Sequence, residues 1–346
     1  MEKVMSRKLI TISTIMTLMS TSVIADVPNV AADIAPIHSL VSRVMDGVGA
    51  PKLIVQSGAS PHGYRLRPSE AKALQDADHV FWMGEELTPW LDSAIGTLAS
   101  KASVTTLLDQ QGVILHDFRE GALFEAHDHS AHGDDDHDDH DDHDDHDDHK
   151  DHDDHDDHDD HDDHKDHDDH DDHDDHGSHD PHAWLSPENA KLWLNIIASK
   201  LSVSDPENAA TYFMNAAAGQ AEIEAMIAEV KATLKPVQGG KFVVFHDAYQ
   251  YFENDFDFYA SGAISLSDSS DPSPARIEKV QKRIRDEGIQ CVLAEPQFKK
   301  GLVATVMEGS DATASVIDPL GAELETGPKL YTRLIKNMAK TLRNCL

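Results

Sequence analysis

A tract that cannot be buried divides this chain in two. From His127 to His179 the sequence is an almost unbroken Asp-Asp-His repeat, with 18 His, 28 Asp and two Lys in 53 residues. Ala131 is the lone apolar side chain in it. Ordering the segment would lose conformational entropy with almost no apolar burial to offset the loss, so it is expected to be disordered when empty. A purely solubilising acidic run would account for the Asp but not for a His at nearly every third position. Imidazole is a borderline-soft nitrogen ligand and the surrounding carboxylates concentrate divalent cations, so the tract is predicted to bind metal ions weakly.

Charge sharpens this. The net charge is −35, and 28 Asp against two Lys place 26 of those charges in the tract. The rest is an ordinary acidic globular protein. Such a surface lacks the basic footprint of nucleic-acid binding and would be repelled by anionic membranes; cations are its natural partners.

Residues 1–25 read as an export signal. Lys3, Arg7 and Lys8 form a basic start, Leu9 to Met19 an uncharged apolar run, and Val23-Ile24-Ala25 a small-residue cleavage site. Met5 would serve equally well as the start. The apolar run is too short for a permanent membrane span, and no cysteine near the cleavage site suggests a lipid anchor. A soluble exported protein is expected, and a monomer. Its two cysteines, Cys291 and Cys345, read by default as a disulfide in an oxidising compartment, worth roughly 4 kcal/mol of chain entropy. A thiolate metal ligand is the alternative.

Either side of the tract, short β-like runs alternate with helical stretches. Val30–Ile34, Lys52–Val55, Val80–Met83 and Val104–Leu108 read as strands, with helices over Ile37–Val48, Arg67–Ala77 and Leu87–Ser100. Beyond the tract come two helical segments opened by Ser186-Pro187-Glu188 and Asp205-Pro206-Glu207, the second running to Leu234 as a rigid strut between domains. Strands then recur at Phe242–Phe245, Asp257–Ile264, Gln290–Ala294 and Ala314–Ile317. The predicted fold is therefore α/β: two βα lobes with parallel sheets, each with its own core, joined by a long rigid helix. The expected units are a first lobe over 26–185 including the tract, a helical connection over 186–236 and a second lobe over 237–346. Ligands of such sheets collect at the carboxyl ends of strands, which places a site in the cleft between lobes.

Outside the tract the histidines are His38, His62, His79, His116, His182 and His246. His62 lies in a turn between Gly58 and Gly63, His182 where the tract rejoins the fold, and His246 at the end of a strand; Asp318 ends the last strand. These four are the candidate metal ligands. His38, His79 and His116 are expected to be structural. Glu295 is expected near the cleft, either orienting a ligand or structural.

Gly58-Ala59-Ser60-Pro61-His62-Gly63-Tyr64, Asp180-Pro181-His182-Ala183-Trp184, Phe245-His246-Asp247-Ala248-Tyr249, Ala294-Glu295-Pro296-Gln297 and Asp318-Pro319-Leu320-Gly321 resemble, in this order, segments of the periplasmic zinc-binding subunits of high-affinity zinc ABC transporters. That family also carries a His-rich acidic loop just before its second His. The resemblance implies His62, His182 and His246 as zinc ligands, a disulfide between Cys291 and Cys345, a periplasmic location and delivery of Zn2+ to a membrane permease. It implies no enzyme activity. Three imidazoles favour zinc over manganese, and manganese-binding relatives of this layout carry Glu at the position of His246. Many zinc members have an acidic residue before the first His, where this chain has Pro61, so Asp318 or water would complete the coordination, with Asp318 preferred. The tract would act as a low-affinity reservoir or sensor. A secreted zinc hydrolase is the alternative, since three His and an open position also describe catalytic zinc; it needs a general base, for which the sequence has no His-Glu-x-x-His helix and offers only Glu295.

Overall fold

The computed structural model describes residues 27–119, 124, 179–265, 272–297 and 300–346. The predicted export signal and nearly all of the tract lie outside these residues. The first lobe is built from β1 (Val30–Ala32), α1 (Ala35–Val44), β2 (Lys52–Leu53), α2 (Pro68–Gln75), β3 (His79–Trp82), α3 (Pro89–Leu98) and β4 (Ser103–Thr106). Two helices follow, α4 (Pro187–Ser204) and α5 (Ala209–Leu234). The second lobe comprises β5 (Phe242–His246), α6 (Gln250–Phe256), β6 (Ala263–Ser265), α7 (Pro274–Glu287), β7 (Cys291–Ala294), α8 (Lys300–Met307), β8 (Thr313–Val316) and α9 (Leu330–Cys345).

Both sheets are parallel and share one wiring, β2-β1-β3-β4 in the first lobe and β6-β5-β7-β8 in the second. Parallel sheets are covered on both faces, and alternation along each strand sorts the side chains accordingly. Ala31, Val80 and Trp82 point to the outer layer formed with α2 and α3, whereas Val30, Ala32 and Phe81 point inward. In the second lobe Val243, Phe245 and Val292 face the outer layer, and Phe242, Val244 and Leu293 face inward. Pro68, Pro89, Pro187 and Pro274 each sit in the first turn of a helix, where the missing N–H is not needed. Ser186 and Ser273 cap α4 and α7 by accepting from the Asn189 and Arg276 N–H groups.

Each lobe has an apolar cluster of its own on the outer side of its sheet, as expected, but the two lobes also share a larger one. The inward faces of both sheets belong to one continuous apolar cluster that runs through α1, α4, α5 and α9. The reason is that these four helices pack on one another between the sheets. The strut, α5, is shorter than its sequence pattern suggests, because Pro206-Glu207-Asn208 form a turn and the helix starts at Ala209. Its 26 residues span about 39 Å. The strand expected from Asp257 is also shorter: Asp257 takes a left-handed conformation that ends α6, and pairing starts only at Ala263. Cys291 of β7 is bonded to Cys345 of α9, with Cα atoms 5.6 Å apart.

Candidate metal site

Inward alternation on β5 puts His246 on the same face as Phe242 and Val244, so its imidazole looks from the second lobe toward the first. On the neighbouring strand the same alternation carries Cys291 and Leu293 inward and then Glu295, one residue past the end of β7. His246 Nδ1 and Glu295 Oε1 lie 2.5 Å apart, and both residues are buried. Gln297 Nε2 donates to the other Glu295 oxygen at 2.7 Å, which fixes the carboxylate in turn.

His182 is oriented by its own local sequence. In Asp180-Pro181-His182 the Asp180 Oδ1 atom accepts from the His182 backbone N–H at 3.0 Å and lies 2.6 Å from its Nδ1. Asp180 is fully enclosed, and burial lifts its carboxyl to about 6 against the opposing pull of the His182 N–H and of Arg119. Trp184 packs beside the imidazole and is anchored by its indole N–H on the Pro319 carbonyl of the second lobe. His62 comes from the turn after β2. Its backbone N–H donates to Ser60 Oγ at 3.3 Å, and the adjoining Pro61 carbonyl accepts from the Trp90 indole at 2.7 Å. Unlike the other two, its side chain is only partly buried.

These elements bring His62, His182 and His246 together, each offering a ring nitrogen within 4.8 Å of the others. The orientation of the two buried rings is informative. A ring nitrogen beside a carboxylate is stabilised when it carries the proton, so Nδ1 of both His182 and His246 is the N–H side. The Nε2 atoms then hold the lone pairs, and they face one another at 3.4 Å. Two lone pairs held that close repel unless a cation or proton lies between them. Carboxylate-backed imidazoles with Nε2 converging are the arrangement by which proteins hold zinc and related ions.

Asp318 does not join this group. Its Oδ1 accepts from the Leu320 and Gly321 N–H groups at 3.0 and 2.8 Å, and its Oδ2 from Ala322 N–H at 2.6 Å. The carboxylate thus closes the turn after β8. The remaining histidines have structural surroundings: His38 is buried against the Pro51 carbonyl, His79 bonds Ser204 and stacks on Phe81, and His116 packs on Tyr251 and Asn254. Burial lowers the pKa of all three. The role of Asp180 was legible in principle, since a carboxylate two residues before a His can reach both its N–H groups. Arg119 had no such signal. It lies beside the tract in sequence, yet its partners, Asp247 and Glu253, are more than a hundred residues away.

Residues 30–345 match the family described as zinc-uptake complex component A, periplasmic. The chain is 49% identical over 317 residues to the high-affinity zinc uptake system protein ZnuA of Brucella abortus, covering 92% of this chain and 91% of that one. It is 45% identical over 323 residues to the ZnuA of Paracoccus denitrificans, covering 93% of each. The structure of a zinc-bound deletion mutant of a ZnuA superposes with a TM-score of 0.67 at 20% identity, over 92% of this chain and 98% of that one.

Proposed function

The chain belongs to the periplasmic zinc-uptake component A family, and on that premise we propose that it captures Zn2+ between its lobes and delivers it to the permease of a zinc ABC transporter. The family is a transport component and not an enzyme family, which removes the hydrolase alternative. Among the described residues no helix is long and apolar enough to cross a membrane, in keeping with a carrier that meets its permease from one side.

His62, His182 and His246 are the proposed ligands, the last two through Nε2. The observation that carries the reading is the facing pair of Nε2 atoms 3.4 Å apart, each ring backed by a buried carboxylate. Because Asp318 is engaged by three backbone N–H groups, the fourth position falls to water. Zinc is the cargo here and must leave again, so three protein ligands and an exchangeable fourth suit the task better than a closed four-ligand structural site. The tract, with its 18 His, is proposed as a low-affinity reservoir feeding this site.

Titrating the metal-free protein with zinc in the presence of a competing chelator tests the assignment. One equivalent should bind far more tightly than the rest, and His182→Ala should remove that step while leaving the weak sites. A His182→Ala protein that keeps its tightest step would remove this cluster as the zinc site. Cells dependent on the His246→Ala protein should fail to grow when zinc is scarce.

A further inference from the structure

One buried ionic cluster beside the site has no part in holding the ion. Arg119, in the segment after β4, reaches across to the second lobe. Its Nε atom donates to both Asp247 oxygens, at 3.1 and 3.0 Å, and a terminal nitrogen also bonds Asp247 Oδ1. The same guanidinium donates to Glu253 Oε2 at 2.6 Å and Oε1 at 3.3 Å. The Phe124 ring covers it, with 3.6 Å from ring centroid to the guanidinium carbon. Asp247 directly follows His246, and Glu253 lies on α6, which begins four residues after His246.

The same segment also contacts the stretch that leads into His182. Asp117 pairs with His179 in an antiparallel bridge, and the Asp180 N–H donates to the His116 carbonyl at 2.8 Å. Tyr251 of α6 joins both strands of this pair, its hydroxyl accepting from His116 N–H at 3.1 Å and donating to the Asp180 carbonyl at 2.8 Å. Residues 116–119 therefore contact the neighbour of one proposed ligand through Arg119 and the carboxylate residue behind the other through His116.

We propose that Arg119 is a positioning residue for the ion site: by spanning Asp247 and Glu253 it holds His182 and His246 at their ligating separation before the ion arrives. This rests on the zinc-site reading above. A guanidinium suits the role because its planar fork holds two carboxylates in a fixed relative geometry, whereas an ammonium is a flexible point charge that sets no such geometry. The role also has a distinctive sign. Near a dication, removing a positive charge should tighten binding if only electrostatics mattered. Losing a positioning residue should weaken it, by about 10- to 100-fold, as for other residues that orient ligands.

The test uses the full-length protein loaded with less than one equivalent of zinc or of cobalt, so that the tightest site fills first. Arg119→Met is expected to bind zinc about 10- to 100-fold more weakly and to alter the visible spectrum of bound cobalt. Arg119→Lys, which keeps the charge but not the fixed planar fork, should fall between. Arg119→Met leaves two buried carboxylates unpaired and so endangers the fold. The triple variant Arg119→Met, Asp247→Asn, Glu253→Gln removes those charges together and should give a folded protein with the same weakened binding. Wild-type affinity and cobalt spectrum in the triple variant, or tighter zinc binding in Arg119→Met, would overturn the inference. His182→Ala, measured alongside, separates the two readings: if it loses zinc while the Arg119 variants do not, the site stands and the positioning role falls.

Discussion

The two lobes have the same strand order and spend the same place in it differently. At the carboxyl end of β1 stands Asp33, buried, accepting from the Ile34 N–H at 2.7 Å and from the Met83 N–H, just past β3, at 2.7 Å. At the carboxyl end of β5, its counterpart, stands His246, bonded to Glu295 just past β7. In one lobe the two central strands are tied together by a carboxylate. In the other the tie is a proposed ligand and the carboxylate that orients it. The first lobe supplies its proposed ligand, His62, from a turn beyond β2, and that side chain is only partly buried. A single scaffold thus provides one proposed ligand fixed by the sheet and one carried on a surface turn, and on the proposed reading the first should contribute more to affinity than the second.

The sharpest way to break this comparison is to delete the ligands one at a time. Zinc held by four protein ligands binds with about 10–16 kcal/mol, so one rigid ligand contributes on the order of 2.5–4 kcal/mol. His246→Ala should therefore weaken the tight step by a few hundredfold, and His62→Ala by at least about tenfold less than that. Competition titrations of the two variants decide it, and equal losses would erase the distinction between the lobes. Next in size is Glu295→Gln, which replaces the charged partner of His246 Nδ1 by a neutral one and should cost about 10- to 100-fold in affinity. Unchanged affinity would mean that packing alone fixes the ring.

Asp33 sharpens the comparison from the side of the first lobe. Burial raises its carboxyl from 3.8 to about 7, against the hydrogen bonds from Met83 and Ile34. The folded state therefore holds a proton that the unfolded chain has released. Its contribution to stability is complete below about 3.8 and declines as pH rises to about 7, with a slope of at most about 1.4 kcal/mol per pH unit. Calorimetric melting of the metal-free protein between pH 4.5 and 7.5 should show Asp33→Asn less pH-dependent than the parent. An identical slope in both proteins would show that Asp33 keeps an ordinary acidity. The smallest effect is expected at Asp318. Asp318→Asn should loosen the turn after β8 yet change zinc affinity by no more than about twofold; a larger loss would return this residue to the ligand set.

Much of this was legible in the sequence, for identifiable reasons. Strand–helix alternation and the prolines opening helices yielded both sheets, because each signal is local. His62, His182 and His246 stood out because each sits in a turn or at a strand end, where packing does not require a histidine. Asp318 shared that placement but not the outcome, since a carboxylate can end a strand by capping its own turn, and sequence does not distinguish the two uses. Arg119 was invisible because nothing near it in sequence hints at Asp247 or Glu253. The shared core was equally hidden. The apolar faces of α1 and α9 look alike whether they cover one sheet or bridge two.

The last helix carries a consequence for the order in which this molecule can be made. α1 is buried at nearly every position because it packs on α4, α5 and its own sheet and α9 covers it as well. Ser39 of α1 donates to the Gly327 carbonyl at 2.7 Å and accepts from the Tyr331 N–H at 3.0 Å, and the Tyr331 hydroxyl reaches back to the Trp184 carbonyl at 3.0 Å. Domains ordinarily fold as units while synthesis proceeds, the N-terminal one first. Here the first helix has no complete surroundings until the final residues have emerged. A half-finished chain therefore holds an unroofed first lobe and only part of the histidine cluster, and the proposed three-histidine site, unlike the tract, is complete only when the second lobe has been made.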